Sequence, residues 1–465
     1  MPINKPNLES KDRTWIGSVT GAIATWFVIS IRTSSLCNLC VLCASVVKNC
    51  SNKTTTETQR TQRLHREGLF GQGCSVLTFL LLLAVLLLFP APLSAQSKRK
   101  VRPPQRSAQT AAHAEAEFDR FVKQADEARL AERFDDAIAL YGKALNIKPK
   151  WPDGWWYVGA IFYQKDLYAQ ARDAFQNLVA LEPQRAPAWA MLGLCLFQTG
   201  DYERAATSLQ RGKSLGIKDN AELAGVVLYH IALLYIRFEF FENAFDTLAE
   251  LLRTGNASPK VVEAFGLTML RMPYLPNEIP AAQREKVLIA GQAGINMAAR
   301  RQEQARAAFD TLLAQYPNDP NVHYGFGVFM LSQDADVALK EFKRELEISP
   351  LHYPAMTQMA FEYLKRDQFN DALPLAEKAV QLAPKLYAAR NVLGRVLLEL
   401  GQVDRSIKEL EVGVQLAPAS PEMHFALARA YTRAGRKEDA ARERETFKKL
   451  QDEFNQKRQL EEKPN

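Results

Sequence analysis

Cysteine is scarce over most of this 465-residue chain: Cys37, Cys40, Cys43, Cys50 and Cys74 fall before residue 75, and only Cys195 follows. A body with one thiol has no internal disulfide framework and loses little by passing through an oxidising compartment. The same body lacks an excess of positive charge. The chain totals +7, but residues 1–95 carry +5, residues 96–106 another +5, and residues 107–465 hold 45 basic against 48 acidic residues. That balance argues against a basic nucleic-acid-binding domain. Catalytic signatures are missing too: there is no Walker loop, no Gly-x-Ser-x-Gly elbow and no His-Glu-x-x-His. His65, His113, His230, His323, His352 and His424 are scattered. His323 and His424 fall at a large-residue position, where packed core imidazoles are expected rather than ligands. The chain reads as a non-enzyme that needs no cofactor and no metal.

What is present begins with a long apolar run, Val76–Phe89. As a helix it would cover about 21 Å, short of the roughly 30 Å hydrocarbon core of a bilayer. Pro90, Pro92 and then Leu93-Ser94-Ala95 follow, the order of a secretory signal peptide cut between Ala95 and Gln96. The alternative is an uncleaved signal anchor. Because such a signal should open a chain, translation is expected to start near Leu64, with His65 and Arg66 as the basic flank. A second apolar run at 15–31 is either a marginal span or sequence upstream of the true start. The spacing Cys37-x2-Cys40-x2-Cys43-x6-Cys50 departs from an iron–sulfur pattern, whose fourth Cys stands three residues on before a Pro. Residues 1–75 are read as an extension, mostly disordered and of doubtful authenticity, and residues 96–110 as a basic, Pro-containing linker. The expected location is exported, periplasmic or secreted, or else inner-membrane-anchored with the body outside the cytoplasm.

The body has a beat. Segments end in Ile-Lys-Pro149, Leu-Glu-Pro183, Ile-Ser-Pro350, Leu-Ala-Pro384 and Leu-Ala-Pro418, at intervals of 34 residues within each run. Twelve residues before each of these prolines, and before Pro317, stands Ala137, Ala171, Ala305, Ala338, Ala372 or Ser406, and four further on Tyr141, Phe175, Phe309, Phe342, Ala376 or Leu410. Upstream come Trp155-x2-Val158-Gly159-x2-Phe162, Trp189-x2-Leu192-Gly193-x2-Leu196, Leu393-Gly394-x2-Leu397 and Leu427-Ala428-x2-Tyr431. Large residues at i, i+3, i+7 mark one helix face, and the Pro stops the second helix because it lacks an N–H.

In these motifs the chain resembles the tetratricopeptide repeat family, and more narrowly an exported bacterial member. The resemblance implies an all-α fold: a right-handed superhelical solenoid of antiparallel helix pairs. About nine units are expected, near 118–151, 152–185, 186–219, 225–257, 286–319, 320–352, 353–386, 387–420 and 421–455. Units one to four occupy 111–257 and units five to nine 286–455, the last ending in a capping helix before a charged tail at 456–465. Between them, 258–285 reads as an unpaired helix with a Ser-Pro start and a loop with three prolines, either a spacer or a hinge.

The family implies a non-catalytic protein-interaction scaffold whose groove lies mainly on the first helix of each pair. Carried over by spacing, that groove comprises Trp156, Tyr163, Leu194, Phe197, Tyr229, Leu233, Ile236, Tyr324, Val328, Phe361 and Leu364, turning polar at Asn391, Arg395, Arg429 and Arg433. The family's chaperone-binding members clamp a terminal carboxylate with Lys and Asn, whereas the first unit here offers Val122 and Asp126. The expected ligand therefore places apolar or aromatic groups in the groove and an acidic group on the three arginines. Partners are proteins or peptides, not nucleic acid. A self-assembling structural element, or an accessory subunit of an envelope enzyme, would use the same architecture.

Overall fold

The structure, a computed structural model, describes residues 105–461 apart from residues 218 and 219. The run at 15–31, the five early cysteines, the 76–95 segment with its Ala95/Gln96 junction, and residues 96–104 lie outside the described residues. Among the described residues there is no strand and there are nineteen α-helices. They run in pairs: α1 (Gln105–Leu130) with α2 (Phe134–Ile147), α3 (Pro152–Gln164) with α4 (Tyr168–Leu181), and α5 (Ala186–Gln198) with α6 (Tyr202–Leu215). Then come α7 (Ala221–Arg237) with α8 (Phe241–Arg253), the extra helix α9 (Pro259–Met269), and α10 (Ala281–Ala298) with α11 (Gln302–Gln315). The series closes with α12 (Val322–Met330) and α13 (Ala335–Ile348), α14 (Tyr353–Lys365) and α15 (Phe369–Leu382), α16 (Tyr387–Glu399) and α17 (Val403–Leu416), and α18 (Pro421–Arg433) and α19 (Lys437–Glu461).

Two compact units divide between Gly154 and Trp155. In the smaller, α1 and α2 close on Trp151, whose ring meets Phe118 edge-on at 5.1 Å. Tyr141 donates to Asp126 at 2.6 Å and accepts from Arg129 at 3.0 Å, tying the end of α1 to the middle of α2.

In the larger unit the sequence beat becomes a packing rule. Ala171, Ala305, Ala338, Ala372 and Ser406 are all fully buried, and so are the residues four further on, Phe175, Phe309, Phe342, Ala376 and Leu410, to within 1%. Across from them a glycine on the first helix leaves room for the large side chain of the second. A Cβ on Gly159 would stand 3.0 Å from Phe175, on Gly327 2.6 Å from Phe342, and on Gly394 2.5 Å from Leu410. Small against large lets the helices approach while keeping interior packing density. The turn inside most pairs passes through the left-handed region: Asp166, Gly200, Glu239, Arg300, Asp367, Gly401 and Gly435 all have positive φ.

Three expectations need correction. The helix at 259–269 is not unpaired: α9 packs on α10 as closely as any pair, and α10 then pairs again with α11. Gly266 and Gly291 make this possible, since a Cβ on either would overlap the backbone carbonyl of Val287 or Val262. One 18-residue helix thus serves two pairs, and the alternation is shared rather than broken. Helix α1 starts at Gln105, inside the expected linker, because the stretch from Ala108 to Ala116 is rich in alanine. Helix α19 runs to Glu461, through much of the expected tail, on Lys, Glu, Arg and Gln, all strong helix formers.

Candidate interaction surface

First helices touch their own partners and also one another, α14 with α16 and α16 with α18. Only one side of each is left free, and this sorts the expected groove residues. Trp156, Leu194, Leu233, Ile236, Tyr324 and Leu364 are buried, none more than 8% exposed. They belong to the core: Trp156 meets Phe175 edge-on at 5.7 Å, and Tyr324 lies 5.8 Å from Phe342 and 4.8 Å from His352. The expectation that they line a groove fails because the apolar stripe of a helix with covered neighbours is wider than a single seam.

What remains accessible falls into two clusters. In the second to fourth pairs Tyr163, Phe197 and Tyr229 are half-buried. Phe197 meets the His230 ring edge-on at 4.9 Å, and Tyr229 flanks the same ring at 5.5 Å. His230 Nδ1 lies 2.8 Å from the Val226 carbonyl, to which it donates. Burial pushes this imidazole down to about 4, so it is neutral at physiological pH. Burial also raises the phenols of Tyr163 and Tyr229, and it pushes the Cys195 thiol up to about 12. Cys195 therefore packs as a small hydrophobe and is no nucleophile.

In the last three pairs Val328 gives way, one repeat later, to Phe361, and Phe361, Arg395 and Arg429 then succeed one another at 34-residue steps. The Arg395 guanidinium lies 5.5 Å from the centre of the Phe361 ring, a cation–π contact. Burial first, and the Arg429 charge next, hold Arg395 below its ordinary value. The neighbouring row reads Lys365, Glu399 and Arg433. Glu399 accepts from Arg429 at 2.8 Å and from Arg433 at 3.4 Å. An internal carboxylate thus already occupies part of the expected acid-binding site. The 34-residue register held that signal, since Glu399 precedes Arg433 by one repeat. Both arginines remain exposed, so these bonds are cheap to exchange. Asn391 is turned to the next repeat, donating weakly to the Glu422 carbonyl at 3.4 Å.

His323 and His424 are more than packed rings. His323 Nδ1 lies 2.6 Å from Glu341 and Nε2 2.9 Å from the Pro317 carbonyl; His424 repeats this with Glu443 at 2.5 Å and Pro418 at 2.9 Å. At His323 both bonds form together only when both ring nitrogens donate. Arg390 fills the same register, donating to the Pro384 carbonyl at 2.8 Å and pairing with Glu409. Among the described residues no cluster of His, Cys, Asp and Glu is arranged to hold a metal, and no helix is long and apolar enough to cross a membrane.

Residues 159–219, 292–319 and 363–424 match families described as tetratricopeptide repeat. The chain carries tetratricopeptide repeats. Proteins built from such repeats bind protein partners and are generally non-catalytic scaffolds. A Drosophila melanogaster protein named BBSome complex member BBS4 homolog is 27% identical over 144 residues, 31% of this chain and 28% of that one. The general transcriptional corepressor trfA of Dictyostelium discoideum is 27% identical over 129 residues, 28% of this chain and 9% of its own length. Small glutamine-rich tetratricopeptide repeat-containing protein 2 of Mycosarcoma maydis is 28% identical over 97 residues, 21% of this chain and 28% of its own. The chain therefore spans under a third of each of these relatives. Among solved structures, MamA 41-end from Desulfovibrio magneticus RS-1 is 25% identical, with a TM-score of 0.31, covering 36% of this chain and 92% of that one. The MamA RS-1 ArsTM double mutant is 23% identical with a TM-score of 0.33, covering 36% and 96%.

Proposed function

We propose that the chain is an adaptor of the bacterial cell envelope that holds partner proteins on the free side of its first helices. Apolar or aromatic groups of the partner would lie on Tyr163, Phe197 and Tyr229, and an acidic group on Arg395, Arg429 and Arg433. The observation that carries this reading is the set of rings left half-exposed on three successive first helices while neighbouring apolar side chains are buried. Aromatic rings part-open on a rigid frame give contact area at little cost in ordering. Location outside the cytoplasm is supported by the Val76–Phe89 run and the Leu93-Ser94-Ala95 that follows its prolines.

The test is in-cell crosslinking and purification with the natural chain beside a Tyr163→Ala/Phe197→Ala/Tyr229→Ala variant. A defined set of partners recovered with the natural chain and lost from the helical, folded variant is expected. Partners retained by the variant would overturn the groove. N-terminal sequencing of the native protein tests the address: a mature end at Gln96 is expected, and one well before residue 90 would overturn it.

A further inference from the structure

The 34-residue register shows where one first helix meets the next. On α16, Asn391 reaches α18, its amide nitrogen 3.2 Å from the Met423 sulfur. One repeat later the same position is Phe425, and among the described residues no further first helix packs on α18. Its side chain is 48% exposed and meets Phe447 of α19 at 5.4 Å between ring centres. Around the pair lie two adjoining shallow clefts, lined by Arg395, Arg429 and Gln451 on one side and by Arg429, Arg433 and Arg444 on the other.

The charge of this edge is one-sided. Arg444 donates to the Thr432 hydroxyl at 2.9 Å, and Arg429 and Arg433 share the single carboxylate of Glu399. The other acid at the rim, Glu422, accepts from the Ser420 hydroxyl at 2.9 Å. Four guanidinium groups therefore face two carboxylates around exposed Phe425 and part-buried Phe447. An apolar centre with a cationic rim selects an anionic partner that carries an apolar stripe. At the preceding joint the element covering this register is a helix, α18 packing on α16.

We propose that the open edge of α18 and α19 docks an acidic amphipathic helix of a protein partner, which takes the place of a further first helix. An apolar side chain of that helix sits on Phe425 and Phe447, and its carboxylates face Arg429, Arg433 and Arg444. This rests on the adaptor reading and shares Arg429 and Arg433 with its acidic end, but it does not use the aromatic cluster at Tyr163, Phe197 and Tyr229, so the two can fail separately there.

The experiment uses the full chain and a fluorescent helical peptide with Leu at i, i+3, i+4 and i+7 and Glu on the flanks, read by anisotropy. Saturable binding is expected, about tenfold weaker or worse for a peptide with Lys in place of Glu, and similarly weakened by Phe425→Ser. Arg444→Glu, at an exposed site and checked for unchanged helicity, is expected to weaken the acidic peptide and strengthen the Lys peptide. Leu351→Ser, at an exposed apolar site far from this edge in sequence, is expected to leave both unchanged. Equal binding of the two peptides, no saturable binding, or binding untouched by Phe425→Ser overturns the proposal. So does light scattering that shows a dimer which Phe425→Ser dissolves, because the occupant is then a second copy. If the edge fails while partner capture through the aromatic cluster persists, only this proposal falls; if capture fails as well, the adaptor reading falls with it.

Discussion

Two kinds of helix contact coexist in the larger unit. In a regular pair such as α16 and α17, a glycine faces a side chain: a Cβ at Gly394 would stand 2.5 Å from the Leu410 Cγ. At the α9–α10 contact, glycines face backbone, Gly266 against the Val287 carbonyl and Gly291 against that of Val262. A leucine can turn to another rotamer, whereas a carbonyl moves only with its helix. The regular pair is thus a tolerant joint repeated along the chain, and α9–α10 is a close crossing built once, where the stack shares a helix between two pairs.

The comparison breaks most directly by adding one methyl group on each side. Overpacking a core costs about 1–3 kcal/mol, occasionally more. Gly266→Ala and Gly291→Ala are expected at or beyond the top of that range, and Gly394→Ala near its bottom, read from urea midpoints of the purified variants. Equal costs at Gly266 and Gly394 would erase the distinction.

The difference also explains how much was legible. Ala171, Phe175, Gly394 and Leu410 recur at fixed offsets, so periodicity alone places them in the core, and the paired helices follow. Gly266 and Gly291 occur once and belong to no beat, which is why the helix at 259–269 looked unpaired. The groove was half legible for a related reason. Spacing puts Tyr324 and Phe361 alike on first helices, but only the neighbouring helices decide that Tyr324 is 8% exposed while Phe361 stays half-open. Phe425 was missed although its register with Asn391 was readable, because its exposure depends on which helices pack around it.

A smaller effect separates α12 from its counterparts. Glu345 is fully buried and accepts from the backbone N–H of Asn321 at 2.9 Å and of Tyr324 at 3.2 Å. It caps the start of α12 from inside the core, where the repeat one step later has Ala379. Glu345→Ala leaves two donors without their acceptor, at about 2–3 kcal/mol. Hydrogen exchange should show faster opening at the amides of Asn321 and Tyr324, and unchanged protection there would remove the cap from the account.

Next comes pH, where neighbouring histidines act in opposite directions. Burial alone lowers His323, but its bonds to Glu341 and the Pro317 carbonyl and the charges of Glu341 and Glu345 outweigh it, and the net shift is upward. Its contribution is therefore complete below the ordinary value of 6.5 and is lost as pH rises through the higher native value. His352 accepts from the Ala355 N–H with Nδ1 and donates to Asn321 with Nε2, so it is neutral. Burial and the Arg271 charge push it down to about 4, and its contribution is lost as pH falls from 6.5 through that value. His323→Gln should flatten the alkaline limb of a stability–pH profile and leave the acid limb, while His352→Asn should do the reverse. Both variants flattening the same limb would contradict the bonding assigned to the two rings.

The smallest effects lie in the turns, which sharpen the comparison because they repeat a backbone shape without repeating a residue. Asp166, Glu239, Arg300 and Asp367 adopt the same left-handed conformation as Gly200 and Gly401. That conformation costs a non-glycine residue about 1–2 kcal/mol, and glycine's greater freedom in the unfolded chain returns roughly 0.5–1 of it. Glu239→Gly and Arg300→Gly should therefore stabilise by up to about 1 kcal/mol, and Gly401→Ala should destabilise by a similar amount. Asp166→Gly should gain less, because Asp166 accepts from the Tyr168 hydroxyl at 2.7 Å and that bond would be lost. Melting temperatures ranked Arg300→Gly above Asp166→Gly above the parent, with Gly401→Ala lowest, would show that these turns are set by backbone shape. If Asp166→Gly matched Arg300→Gly, the tyrosine bond would contribute nothing, and the turn residues would differ only in φ.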